Sequence, residues 1–297
     1  MRRYLNILKE MLLSGFTFIK NGILLDYPFL ESIRSILPIV DELVVICGDS
    51  TDDTKQAILD LNEPKIRIID SIWNAENRVG GFELAVQTNI ALDNIKGSWG
   101  LYLQGDEVLH EDYLNTVRSA CEQYLNDSEV EGLLFKYKHF YGSYQYIGIE
   151  RGWYRQEVRV VRNLSTVRSF KDAQGFRIGH RKLNVKSIDA EIYHYGWVRT
   201  PEALQKKLEL VNPLWHDDQW MKKNVHEQQS FSYDHSKLLA PFNGTHPAAM
   251  KKRIARLFWT FPYDPTKVKI SLKEKISLLF ERLTGIRIGE YKNFREI

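Results

Sequence analysis

Cysteine is scarce in this sequence, with only Cys47 and Cys121 among 297 residues. Two thiols cannot build a disulfide framework, which points to a reducing, cytoplasmic setting. Cys47 closes the apolar run Leu43-Val44-Val45-Ile46 and reads as a small buried residue. No window approaches the roughly 18 continuous apolar residues that a membrane-spanning helix needs. The opening Met1-Arg2-Arg3-Tyr4 is basic, but Lys9, Glu10 and Lys20 interrupt the apolar positions that follow, so a signal peptide is not expected. In a reducing compartment the Asn-x-Ser/Thr triplets at Asn126, Asn163 and Asn243 read as chance matches. Zinc knuckles, RNA-binding aromatic signatures and helix-turn-helix patterns are absent, which argues against a nucleic-acid partner. There is no internal repeat and no low-complexity tract.

What remains is ordinary globular composition, with 43% apolar and 27% charged residues, in a chain long enough for one large domain with an appendage. The net charge of +3 conceals an asymmetry. Residues 251–297 carry twelve Lys/Arg against five Asp/Glu, so the preceding 250 residues sum to −4. A basic tail on a mildly acidic body suggests an anionic surface as its partner, a membrane before a nucleic acid.

Strand and helix patterns alternate from about Ser14. Phe16–Ile19 is a short β-rich run, and Tyr27–Leu37 has apolar residues at helical spacing with Pro28 in its first turn. Leu43–Cys47 is a continuous apolar strand of the kind buried on both faces of a parallel sheet. A helix is expected from Ser50 to about Leu61, a strand over Lys65–Ile69, a helix over Gly81–Leu92 and a strand over Trp99–Leu103. This order predicts an α/β fold with a doubly wound sheet, whose ligands bind beyond the carboxyl ends of the strands. Asn21-Gly22, Gly48-Asp49-Ser50 and Gly105-Asp106-Glu107 would share that rim. Leu133–Tyr141 and Glu157–Arg162 alternate like strands with one wet face. After Pro201 the chain reads as helical, with amphipathic patterns over Ala203–Leu214, Ala248–Trp259 and Leu272–Leu283, while Asn224–Asn243 reads as a loop. The C-terminal apolar stripes would either cover an edge of the domain or rest, with their lysines and arginines, on anionic lipid.

The sharpest chemical signal is Gly100-Leu101-Tyr102-Leu103-Gln104-Gly105-Asp106-Glu107, a buried strand that stops on two adjacent carboxylates. Such a pair is costly to fold around unless a cation or basic group meets it. Hard oxygen donors of this kind suit Mg²⁺ or Mn²⁺ beside a phosphorylated substrate. The alternative is a solvated turn after the strand.

Three segments carry a resemblance. Ser14-Gly-Phe-Thr-Phe-Ile-Lys-Asn21, Gly48-Asp-Ser-Thr-Asp-Asp-Thr54 and Leu103-Gln-Gly-Asp-Glu-Val-Leu-His-Glu111 resemble the first strand and turn, the Gly-x-Ser-x-Asp-x-Thr and the Asp-x-Asp segment of family 2 glycosyltransferases of the GT-A type, in particular a bacterial cell-surface glycan subgroup. Glu157–Arg162, Asp172–Arg177 and His194-Tyr-Gly-Trp-Val-Arg199 resemble further features of that subgroup. The resemblance implies a GT-A mixed sheet flanked by helices over residues 1–200, with a nucleotide-sugar half at about 14–110 and an acceptor half at about 111–200. A helical, basic C-terminal extension would occupy 201–297. It implies a nucleotide-diphospho-sugar donor, a glycan or lipid-linked acceptor, inversion at the anomeric carbon, and a peripheral place on the inner face of the plasma membrane.

By the same resemblance, Asp106 and His194 would hold a divalent cation, Mn²⁺ or Mg²⁺. Phe16, Thr17, Phe18, Asn21, Asp49, Ser50, Arg78, Gln104 and Gly105 would form the nucleotide-sugar site. Gln104 departs from the family pattern, replacing the first acid of Asp-x-Asp, and adds no charge. Asp172 is the first candidate for the base that deprotonates the acceptor hydroxyl, and Glu157 is the second. Glu107 is expected to pair with an arginine of the middle region. Two rivals remain open. A nucleotidyltransferase would carry a glycine-rich basic loop after its first strand, and Ile19-Lys20-Asn21-Gly22 is too short and glycine-poor for that. A non-catalytic sugar- or nucleotide-binding protein draws its support from Gln104.

Overall fold

The computed structural model describes residues 12–77, 79–225, 229–233 and 237–297. The first half builds as its periodicity predicts. Strand β1 (Leu13–Ile19) leads to helix α1 (Phe29–Ile36), β2 (Glu42–Cys47), α2 (Thr54–Leu59), β3 (Ile66–Asp70), α3 (Phe82–Leu92) and β4 (Trp99–Tyr102). These strands lie parallel in the order β3-β2-β1-β4. Residues alternate across the two faces of each strand. One face buries Leu13, Leu43, Val45, Trp99 and Leu101 against Phe29, Ile33 and Ile36 of α1. The opposite face buries Phe16, Val44, Ile46 and Tyr102 against Ala91 and Leu92 of α3. The unbroken apolar reading of Leu43–Cys47 is thus a strand sealed on both sides.

Helix α2 starts later than its sequence suggests, because Ser50–Asp53 are spent on the loop. Ser50 Oγ accepts from Asn21 N at 2.9 Å, and Asp52 accepts from Leu24 N at 2.7 Å and from Thr54 N at 3.1 Å. These bonds tie the end of β2 to the turn after β1.

Beyond β4 the chain forms β5 (Glu107–Leu109), α4 (Leu114–Gln123), β6 (Gly132–Tyr141), β7 (Tyr146–Gly148) and β8 (Gln156–Arg162). A separate three-stranded sheet follows from β9 (Val167–Phe170), β10 (Gly175–Ile178) and β11 (Arg181–Lys182), and then the long β12 (Asn184–Trp197). Strand β8 runs antiparallel between β4 and β6, which turns the parallel half into a mixed, eleven-stranded sheet. Strand β12 lies parallel to β6 and antiparallel to β5.

The C-terminal region contributes α5 (Pro201–Val211), α6 (Asp218–Asn224), β13 (Leu239–Pro241), α7 (Lys251–Ala255), α8 (Leu272–Thr284) and β14 (Arg295–Glu296). It is not purely helical, because β13 extends the sheet beside β7 and β14 returns to β12. The helix expected over Ala248–Trp259 shrinks to a 3₁₀ turn and the five residues of α7. Helix α8 has its apolar stripe turned outward, with Leu272 75% and Leu283 76% exposed. It holds to the body by its polar side. Arg151 bonds to Ser277 Oγ, and Arg155 meets Glu281 at 3.3 Å.

Candidate functional site

The carboxyl ends of β1 and β4 open onto a cavity of about 500 Å³, closed on the far side by α5. The turn after β4 sets its floor. Glu107 N donates to Gln104 O at 3.0 Å, and Tyr195 N of β12 donates to Asp106 O at 2.8 Å. The antiparallel register of β12 with β5 then puts His194 opposite Glu107 and beside Asp106. Gly196 makes this approach possible, since a Cβ there would lie 2.6 Å from His194 Nε2 and 2.9 Å from Asp106 Oδ2.

The two adjacent acids part company. Glu107 points away into the core, where Arg159 grips it with both prongs, Nε to Oε2 at 2.8 Å and Nη2 to Oε1 at 2.7 Å. Tyr137 Oη and Gln104 N complete its bonds, and neither Glu107 nor Arg159 is exposed. The expected arginine partner from the middle region is therefore Arg159. This pair fixes the turn and leaves Asp106 facing the cavity.

Asp106 is 6% exposed and sits among cations. Its Oδ2 lies 3.5 Å from Lys207 Nζ and 3.7 Å from Arg199 Nη2, and its Oδ1 lies 3.8 Å from His194 Nε2. Burial acts to raise its carboxyl pKa, but Lys207 foremost, with His194 and Arg199, holds it well below the usual carboxylate range. Lys207 is brought down to about 8 by burial and by the Arg199 charge, which Asp106 opposes. Arg199 stacks on the Tyr27 ring at 4.3 Å and donates to Leu25 O at 2.8 Å. His194 and His139 share a hydrogen bond between their Nδ1 atoms at 3.0 Å. Burial lowers the pKa of both rings, that of His139 to about 3, which makes His139 neutral at pH 7.

A site for the expected Mn²⁺ or Mg²⁺ needs several hard donors turned toward one point. Asp106 and His194 do face each other, but among the described residues no three His, Cys, Asp or Glu side chains converge. Gln104 has turned its amide toward Ala173 O at 3.4 Å. One carboxylate between the buried Arg199 and the partly buried Lys207 leaves a positive surplus that repels a further divalent ion. This set does not fit a resident metal.

The other expected residues divide by depth. Phe18, Asn21, Gln104, Gly105 and Asp172 line the cavity. Phe18 meets Trp73 edge-on at 5.9 Å, and Lys20 lies over the same indole at 5.3 Å. Asn21 takes φ 53°, a left-handed conformation that Asn tolerates, and its Oδ1 accepts from Thr51 N at 2.8 Å. Phe16 does not reach the cavity. Two residues further from the rim, it is fully buried and stacked on Tyr102 at 5.2 Å. Thr17 points to the opposite face and donates to Leu103 O. Ser50 serves the loop, and Asp49 pairs with Lys20 at 2.7 Å while accepting from Trp73 N at 3.1 Å, so it positions two lining residues rather than lining the cavity. Arg78 lies outside the described residues.

Asp172 stands in a tight turn between Lys171 and Ala173, both with positive φ. Such strain clusters at functional sites. A Cβ on Gly81, itself at φ 73°, would lie 2.8 Å from Asp172 Cβ, so only glycine admits the turn here. Glu157 is displaced from the role of base. It is 2% exposed and lies off the cavity wall, its Oε1 accepting from Gln174 Nε2 at 2.7 Å.

Lys207, Tyr27 and Trp73 escaped the sequence reading, and Arg199 was seen only as the end of a motif. For Lys207 a signal existed. It falls between Leu204 and Val211 on the apolar stripe of α5, where a lysine is out of place unless its ammonium has a partner.

No protein-family model matches the chain, and no curated protein matches it. Solved glycosyltransferase structures share partial likeness. Residues 1–349 of S. aureus TarS in complex with UDP-GlcNAc are 24% identical over 44% of this chain and 36% of that one, with a TM-score of 0.34. A longer S. aureus TarS structure is 15% identical over 74% of this chain and 41% of that one, at 0.39. Glucosyl-3-phosphoglycerate synthase from Mycobacterium tuberculosis, with Mn²⁺, UDP and phosphoglyceric acid, is 21% identical over 44% and 43%, at 0.29. The chain thus spans less than half the length of these three. Likeness of this extent transfers neither a substrate nor a residue role.

Proposed function

We propose that this chain is an inverting glycosyltransferase that moves one sugar from a nucleoside-diphosphate donor to a glycan or lipid-linked acceptor. A bacterial surface polysaccharide or lipopolysaccharide is the setting its motif resemblance favours. The observation that carries the reading is the cavity itself. It joins an aromatic wall, Phe18 and Trp73, to a floor where Lys207 meets Asp106 with the buried Arg199 behind them, and a further carboxylate, Asp172, is on its lining. Its volume suits a ligand of nucleotide-sugar size. The base packs against Trp73 and Phe18 beside Lys20, the diphosphate lies toward Asp106 and Lys207, and the acceptor hydroxyl gives its proton to Asp172 as it attacks the anomeric carbon.

A thermal-shift screen of UDP-, GDP-, CMP- and dTDP-sugars tests this, since a ligand that binds only the folded state raises the melting temperature. One donor class should stabilise the protein, and Asp172→Asn should keep that shift while losing transfer. A panel with no shift and no donor turnover would refute the reading.

The outward stripe of α8 supports peripheral membrane association. At 100° per residue Leu272, Ile276, Leu279 and Leu283 share one face, flanked by Lys273 on one side and Lys275 and Arg282 on the other. No helix of the described residues is long and apolar enough to cross a membrane. Sedimentation with anionic vesicles should carry down the protein, and Leu279→Glu/Leu283→Glu should release it. Equal sedimentation of both would remove the proposal.

A further inference from the structure

The mismatch between this donor set and a divalent cation has a positive counterpart in the same atoms. Lys207 reaches the cavity from the apolar face of α5. Its Nζ is 3.5 Å from Asp106 Oδ2 and donates to Gly196 O at 3.2 Å. Behind it the fully buried Arg199 spends Nε on Leu25 O and Nη1 on Gly196 O. Its Nη2 is buried with no hydrogen-bond partner, 3.7 Å from the same carboxylate oxygen. An orphaned guanidinium nitrogen and an ammonium sharing one carboxylate make a costly arrangement in a protein interior. Arg199 is sealed off the cavity lining and acts through its field, so the ligand that offsets the surplus is an anion beside the Lys207 ammonium. A metal ion would add to the surplus.

Resting on the glycosyltransferase reading above, we infer that Lys207, anchored by Asp106 and backed by Arg199, meets the donor's diphosphate in place of a divalent cation. Asp106 is then a counter-ion that aims the ammonium. As the bond between the anomeric carbon and the diphosphate oxygen breaks, its electron pair stays on that oxygen, beside the Lys207 ammonium. The acceptor oxygen forms the new bond to carbon, and its proton passes to the Asp172 carboxylate. Preorganised positive charge at the point where negative charge develops is the strongest single device available to such a site. The atoms balance without any further reactant.

Calorimetric titration with UDP, GDP, CDP and dTDP, in excess EDTA and again in excess Mn²⁺, tests this on the full chain. The nucleoside diphosphate that binds should do so in EDTA with affinity within about twofold of its Mn²⁺ value, since no ligand is supplied by metal. Lys207→Met should weaken it roughly 10- to 100-fold, the loss expected for a charge-assisted bond. Affinity for the corresponding nucleoside should be unchanged, which also shows that the variant is folded, and Lys207→Arg should restore most of the diphosphate affinity. Binding only in Mn²⁺, or a Lys207→Met protein that binds the diphosphate normally, overturns the inference while leaving the glycosyltransferase reading intact. Failure of every nucleoside diphosphate in both conditions overturns both.

Discussion

Replacing Glu157 by Gln should make the protein more stable at neutral pH, although the residue is almost wholly buried. Its Oε1 accepts from Gln174 Nε2 at 2.7 Å, but Oε2 is buried without a partner. Burial is the largest influence on this carboxyl, and with Arg159 only partly offsetting it the pKa is pushed up from 4.5 to about 7. A carboxyl with a raised folded-state pKa contributes its full stability below the unfolded value, and that contribution is lost as pH rises through the folded one. The window is therefore pH 4.5 to 7. Over that span the displacement corresponds to about 3 kcal/mol, at 1.36 kcal/mol per pKa unit. Glutamine keeps the shape and the pairing with Gln174 but never ionises. Urea unfolding at several pH values would measure this. The two proteins should be nearly equally stable at pH 4.5, and by pH 8 the variant should lead by up to about 3 kcal/mol. Because Glu157 lies off the cavity, donor turnover should survive. Parallel stability curves, or a variant weaker at pH 8, would refute the burial argument. Loss of turnover in a stable variant would return Glu157 to the role of base.

Two other substitutions separate fold from site. Arg159→Met would leave the buried Glu107 carboxylate without its cation, held only by Tyr137 Oη and Gln104 N, and denaturant unfolding should show a loss of about 3–5 kcal/mol; a loss below 1 kcal/mol would mean that the pair is not the brace of the turn. Gly196→Ala would push a methyl into the space between His194 and Asp106, and its backbone φ does not forbid alanine. Nucleoside-diphosphate affinity should fall at least about tenfold with circular dichroism unchanged, a penalty of overpacking rather than unfolding; unchanged affinity would place the ligand elsewhere.

The centre of the parallel half was legible because β2 and β4 are buried along their whole length, and such strands read as apolar runs. The rim was legible for the same reason, since the carboxylates of Asp106 and Glu107 end such a run. One feature escaped and another stayed open between two readings, because both depend on direction. Strand period separates Phe18, at the mouth of the cavity, from Phe16, which lies deeper on the same face, and from Thr17, which faces the other way. Helix α8 carries the pattern of a buried helix, yet Ser277 and Glu281 tie its polar side to Arg151 and Arg155. Periodicity reports that a face is apolar and is silent about which side the body lies on. Lys207 was a different kind of miss. A lysine in the apolar stripe of α5 contradicts the local pattern, and such contradictions mark sites where a residue is kept for a partner beyond its own helix.

The most direct test of the whole account is a crystal structure of the full chain with the best-binding nucleoside diphosphate, grown in EDTA. It should place diphosphate oxygens within hydrogen-bond reach of Lys207 Nζ and the base against Trp73. A nucleotide bound outside the cavity, or one whose phosphates turn away from Lys207, would contradict it.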